Sequence, residues 1–147
     1  MPDSITDICA KILNSISEDG EISAYVLAKW GKSLSLFLGL DAENLPPKIK
    51  LPWCATIPKT FGMNDTNDSY SNSITIGISV EDPGVDSLPK FDKLRGYEKL
   101  QGLCLLVQRR IAEILCGNIL NLSRIGIDTS FPFFCGSWSF EVCTETE

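Results

Sequence analysis

The sequence predicts an α+β fold of two layers: a mainly antiparallel sheet, a long amphipathic helix packed on one of its faces, and a further helix at the N-terminus. Three stretches carry this expectation. Ile74, Ile76, Ile78 and Val80 alternate with Thr75, Gly77, Ser79 and Glu81, a period of two that a strand buried on one face explains. Leu100, Leu103, Cys104, Val107, Ile111, Ile114 and Leu115 recur at helical spacing, with Gln101, Gln108, Arg109 and Glu113 on the far side. Ile5, Ile8, Cys9, Ile12, Leu13 and Ile16 draw a second helical stripe.

In chain order, Ser4 and Asp7 have the spacing of a capping box for the first helix, which ends before Gly20. Ile22, Tyr25, Val26 and Trp30 suggest a second, short helix interrupted at Gly31, after which Leu34, Leu36 and Leu38 fit a strand as well as a helix. Pro46, Pro47 and Pro52 make residues 41–52 an extended connector. A strand is expected over Trp53 to Ile57, stopped by Pro58. Phe61 to Asn72 is rich in Asn, Asp, Ser and Thr, so residues 62–72 read as a long polar loop or arm joining an antiparallel hairpin. Asp82-Pro83-Gly84 ends the second strand, and a polar connector through Lys93 leads to the long helix, stopped at Gly117-Asn118. Leu105, Leu106 and Ala112 widen the apolar arc of that helix, which is therefore expected to be covered on more than one side. Phe134, Gly136, Trp138, Phe140 and Val142 mark a last strand with one core face. A chain of 147 residues suits a single domain with one core over residues 1–147.

Composition excludes several functions. With 44% hydrophobic and 22% charged residues the chain is a packed protein, and no apolar run approaches the roughly 20 residues that cross a bilayer. The net charge of -6 gives no general footprint for nucleic acid, and no membrane partner is expected. There is no histidine, which removes the commonest general base, the commonest metal ligand and every Ser-His or Cys-His pair. The six cysteines lie far apart behind an N-terminus without a secretory leader, so reduced thiols are expected; Cys9 and Cys104 fall on apolar stripes, while Cys54 and Cys116 have no evident core position. Without a C-x-x-C pair no metal site is expected. Gly31-Lys32-Ser33 ends like a phosphate-binding loop, but Val26 stands where the motif needs glycine. Asp65, Asn67 and Asp68 offer oxygen ligands, yet Tyr70 and Ile76 replace the glycine and glutamate of a calcium loop. Glu81-Asp82 and Asp41 with Glu43 read as solubilising charges in turns. No catalytic residue and no cofactor is expected.

The candidate contact residues are those of the arm, Asp65, Asn67, Asp68 and Tyr70, and those of the one basic cluster. Lys90, Lys93, Arg95 and Lys99 lie at the start of the long helix, where cations oppose the helix dipole; they seek carboxylates on another subunit or phosphates, or form a plain solvated face. Arg109 and Arg110 diverge by about 100° around the helix, so Arg110 either snorkels or pairs at an interface.

The layout as a whole resembles the small tail-terminator and neck-type (head–tail joining) proteins of long-tailed bacteriophages and prophages. The similarity runs through the opening helix, Leu45-Pro46-Pro47 leading into Pro52 to Ile57, the strand Ile74 to Asp82, the helix around Leu103 to Leu115 and the strand Phe133 to Val142. It implies a structural protein that assembles in the host cytoplasm and joins the virion tail or neck. There it would form a homo-oligomeric ring, commonly a hexamer, that caps the tail tube and meets the tail-tube and head-completion proteins, with DNA only as passing cargo. Tyr25 to Leu38 and the six cysteines do not map onto that group. The competing readings are a cytosolic protein-binding adaptor that grips its partner with the same arm, and a histidine-free enzyme that uses carboxylates or a thiolate at Cys54 or Cys116.

Overall fold

The computed structural model describes residues 4–40, 51–63 and 69–145, residues 69, 70, 144 and 145 by backbone alone. Helix α1 (Ile5–Glu18) opens on the expected capping box: Ser4 Oγ accepts from the Asp7 N–H at 3.1 Å, and the Asp7 carboxylate accepts from the Ser4 N–H at 3.3 Å. Asp19 stops α1 and at once caps α2 (Gly20–Trp30), accepting from the Glu21 and Ile22 N–H groups at 2.9 and 3.0 Å. Gly31 ends α2 at φ +67°, a conformation open to glycine, and releases the chain into β1 (Ser35–Leu38). Of the ambiguous leucines, Leu36 and Leu38 therefore belong to a strand, and Leu34 directly precedes it.

β1 pairs in parallel with β2 (Trp53–Met63); every other pairing is antiparallel. β3 (Ser69–Glu81) is followed by β4 (Val85–Ser87), β5 (Asp92–Leu94) and α3 (Gly96–Leu115). β6 (Ile119–Leu120), β7 (Gly126–Ser130) and β8 (Phe133–Glu145) complete the described chain. The main sheet runs β1-β2-β3-β8-β6, with β7 also on the outer side of β8, while β4 and β5 form a separate hairpin. α1 lies over β1 and β2, and α3 over β3 and β8, so the core fills the space between helices and sheet. Its strand side chains are Ile74, Ile76, Ile78 and Val80 of β3 with Phe134, Trp138, Phe140 and Val142 of β8. The opposite face of β3 and β8 carries Ser71, Ser73, Thr75, Ser79, Ser137 and Ser139, with the Thr75 and Ser139 hydroxyls 2.9 Å apart.

Several expectations are corrected. Pro58 does not stop β2, because β1 pairs only with Trp53 to Thr56; beyond that point β2 is an edge, and an edge strand tolerates a residue without an N–H. The ladder continues to Met63 opposite Tyr70, so most of Phe61 to Asn72 is strand and not polar loop. Its alternating Ser, Asn and Ser residues hide the strand from a hydropathy reading. The polar connector before the long helix contains the β4–β5 hairpin, held by main-chain pairing of Val85 with Leu94. α3 is covered on more than one side, by the sheet and by α1 and α2, yet Leu105 and Ala112 of its widened arc stay exposed. β7, exposed at all five residues, left no hydropathy signal. Residues 41–50 of the connector, with Asp41 and Glu43, lie outside the described residues.

Candidate assembly surfaces

The arm is built by a register device. Between Pro58 and Thr60 the β2–β3 pairing shifts by one residue, leaving Lys59 as a bulge. Before the bulge, the even residues Cys54 and Thr56 face the helices, opposite Ile78 and Ile76. After it, Phe61 pairs with Asn72 and Met63 with Tyr70, so the odd residues take the helix-side face. Phe61 is 78% exposed and Met63 60% exposed. The arm thus projects two large apolar side chains on the side where the core would be, with no helix over them among the described residues.

A second surface lies between α2 and α3. The helices approach closely at Gly102, where an added Cβ would overlap the Tyr25 ring and hydroxyl. That hydroxyl donates to the Lys99 carbonyl at 3.0 Å. Ala24, Tyr25, Gly102, Leu105 and Leu106 line a groove of about 650 Å³, mostly apolar, with Glu21 and Arg109 among its lining residues. Arg109 donates to Glu21 at 2.5 Å and lies 3.6 Å from Glu113.

The basic cluster finds its carboxylates within the chain. Lys93 pairs with Glu98 at 2.9 Å, Arg95 with Asp86 at 2.7 Å, and Lys99 with Asp82 at 2.6 Å, while Lys90 stands exposed in the β4–β5 turn. Within the chain the partners come from three places: Glu98 from the first turn of α3, Asp86 from β4, and Asp82 from just beyond the end of β3. Asp82 is no solubilising turn charge: it is buried, and its carboxylate also accepts from the Gly84 N–H at 2.7 Å. Burial alone would raise its pKa, yet the Lys99 hydrogen bond, the Gly84 N–H and the charges of Lys99 and Arg95 hold it below the ordinary carboxylate range. Arg110 reaches back to the α1–α2 junction, 3.7 Å from Asp19 and 3.5 Å from Glu113. Asp65, Asn67 and Asp68 lie outside the described residues, and Tyr70 is described only as a β3 backbone position.

The cysteines do not assemble into a site. Cys9, Cys54 and Cys104 are buried, Cys116 is exposed, and Cys135 and Cys143 are half-buried. Cys54, unplaced from sequence, belongs to the core. Burial pushes the Cys54 and Cys104 thiols up to about 12 and raises Cys9 and Cys135 as well, which keeps these four protonated near neutral pH. Among the described residues no three Cys, Asp or Glu gather as a metal-ligand set, and no helix is long and apolar enough to cross a membrane.

Both surfaces were hard to find in the sequence. Phe61 and Met63 are two apolar side chains at the edge of a run of polar residues, a weak signal in its own right. Leu105 and Leu106 did show, as the widened arc of α3, but what lies over them could not be read from spacing.

The chain matches no protein-family model and no curated protein. Among solved structures it is similar to a chain from the virion of a native gene transfer agent particle, with a TM-score of 0.54 and 9% sequence identity over 92% of each chain. At that identity the likeness is one of fold, and it includes nearly the whole of both chains.

Proposed function

We propose that this chain is a structural virion protein of phage type, a tail terminator or neck (tail-completion) protein that forms a ring at the end of the tail tube, at the head–tail junction. The observation that carries the proposal is the fold shared along 92% of both chains with a component of a gene transfer agent virion. Two features support it. The β2–β3 arm offers exposed apolar side chains to a neighbour, as a heterologous ring contact needs. The hydroxyl face of β3 and β8 carries no Lys or Arg, so turned toward a lumen it would let DNA pass without gripping its phosphates. In this role the protein meets the tail-tube protein and the head-completion protein and runs no reaction, in keeping with four thiols held protonated by burial.

The test is size-exclusion chromatography with light scattering across a concentration series, together with co-sedimentation on tail-tube ends. A ring-sized species, or a ring formed on the tube, is the expected result. A strict monomer that also fails to bind tube ends overturns the proposal. Mild alkylation at neutral pH tests the absence of a reaction: an enzyme built on a thiolate would show one cysteine labelled far faster than its exposure explains.

A further inference from the structure

A ring needs a surface that receives the arm, and the arm's chemistry narrows the choice. Phe61 and Met63 are two large apolar groups on one face of a projecting hairpin, and contiguous exposed apolar groups of this kind mark interaction sites. The arm cannot bend back to cover them on its own body, since β3 is laddered to β8 without a break from Glu81 opposite Phe133 to Ser69 opposite Glu145. No described residue covers them, which leaves them open to a neighbouring molecule.

Resting on the ring proposal, we infer that Phe61 and Met63 of one copy insert into the α2–α3 groove of the next copy. The groove is shallow, open and mostly apolar, and its extent of about 650 Å³ gives room for an aromatic and a thioether side chain to lie across it. Gly102 and Ala24 keep its floor low, and Leu105, half exposed, forms a wall that no described residue covers. Charge agrees with this pairing at the Arg109 end of the groove, whereas Lys29 stands 5.7 Å from the centre of the Tyr25 ring. At the Arg109 end of the groove, Asp19, Glu21 and Glu113 share Arg109 and Arg110, three carboxylates to two guanidinium groups. Lys59, exposed at the bulge two residues before Phe61, brings the matching cation. Knob and groove are different patches of one molecule, so the contact is heterologous: each copy donates an arm and accepts one, and the series closes when the rotation per copy divides a full turn.

Complementation tests the contact. Phe61→Ser removes the knob and leaves the groove; Leu105→Asp spoils the groove and leaves the knob. Both side chains are exposed, so both variants are expected to fold, with circular dichroism melting curves matching the wild type. Each alone is expected to need roughly 30-fold or more higher concentration to self-associate, the loss typical of a buried anchor. An equal mixture of the two restores one good contact and forms dimers but nothing larger. If both single variants assemble like the wild type, or their mixture stays monomeric, the contact is wrong while the ring proposal stands. If Leu105→Asp assembles normally but no longer binds tube ends, the groove belongs to the tail-tube protein and the inference is overturned. A wild type that is monomeric throughout and ignores tube ends overturns both.

Discussion

The two halves of the β2–β3–β8 ribbon share one set of ladders and differ in what lies above them. In the half that holds Cys54, Ile76, Ile78 and Trp138, the helix-side face is sealed by α1 and α3, and these four side chains are at most 2% exposed. In the other half the same face carries Phe61 and Met63 in the open. Backbone pairing continues through the bulge at Lys59 into both halves, so strand formation alone does not decide what is buried. Cover decides it: in the far half Asn72 and Val142 of the inner strands are still buried, while no described residue covers Phe61 and Met63 on the β2 edge. That asymmetry is costly for a protein that stays alone and useful for one that is completed by a neighbour.

Substitutions separate the halves by the size of their effect on folding. Ile76→Ala in the sealed half opens a cavity under the helices and is expected to cost about 4 kcal/mol in urea unfolding. A smaller loss near zero would mean that this half is not packed as described. Next comes Asp82→Ala at the end of β3, expected to cost about 2 kcal/mol because it leaves Lys99, itself largely buried, without its carboxylate. The sign with pH follows from the lowered pKa of Asp82: its contribution is complete above the ordinary Asp value of about 4 and fades as pH falls below that. Acid titration of stability should therefore show a shallower loss below pH of about 4 in Asp82→Asn than in the wild type.

Ser4→Ala tests the cover. It removes the capping acceptor of α1, and a loss of about 1 kcal/mol is expected in thermal unfolding. Phe61→Ser, in the bare half, should change monomer stability by no more than about 0.5 kcal/mol, since the side chain is already in water. A large loss there would show that Phe61 is packed within its own chain, and the contrast between the halves would disappear.

Much of the covered half was legible in the sequence. The stripe Ile5 to Ile16, the alternation Ile74 to Val80 and the stripe Leu100 to Leu115 each have one buried face, and the period of burial writes itself into the residues. The capping box at Ser4 and the stop at Gly31 were equally plain, since caps are local chemistry. β7 and the outer parts of β2 and β3 were not legible, because exposed strands are specified by pairing and carry no apolar period. The position of the basic cluster at a helix start left partners and a plain solvated face both open, and gave no sign that Asp82, Asp86 and Glu98 would pair with it.

By itself, then, the sequence determined the class of fold, the core strands and helices, and the exclusion of histidine-based chemistry, all properties set by composition and short-range periodicity. Tertiary structure alone decided that β1 joins β2 in parallel, that the bulge at Lys59 turns Phe61 and Met63 to the helix side, and that α2 meets α3 at Gly102 beside an open groove. These depend on which distant segments pair and in what register, and a shift of one residue, invisible in any local pattern, moves a side chain from one face of a sheet to the other.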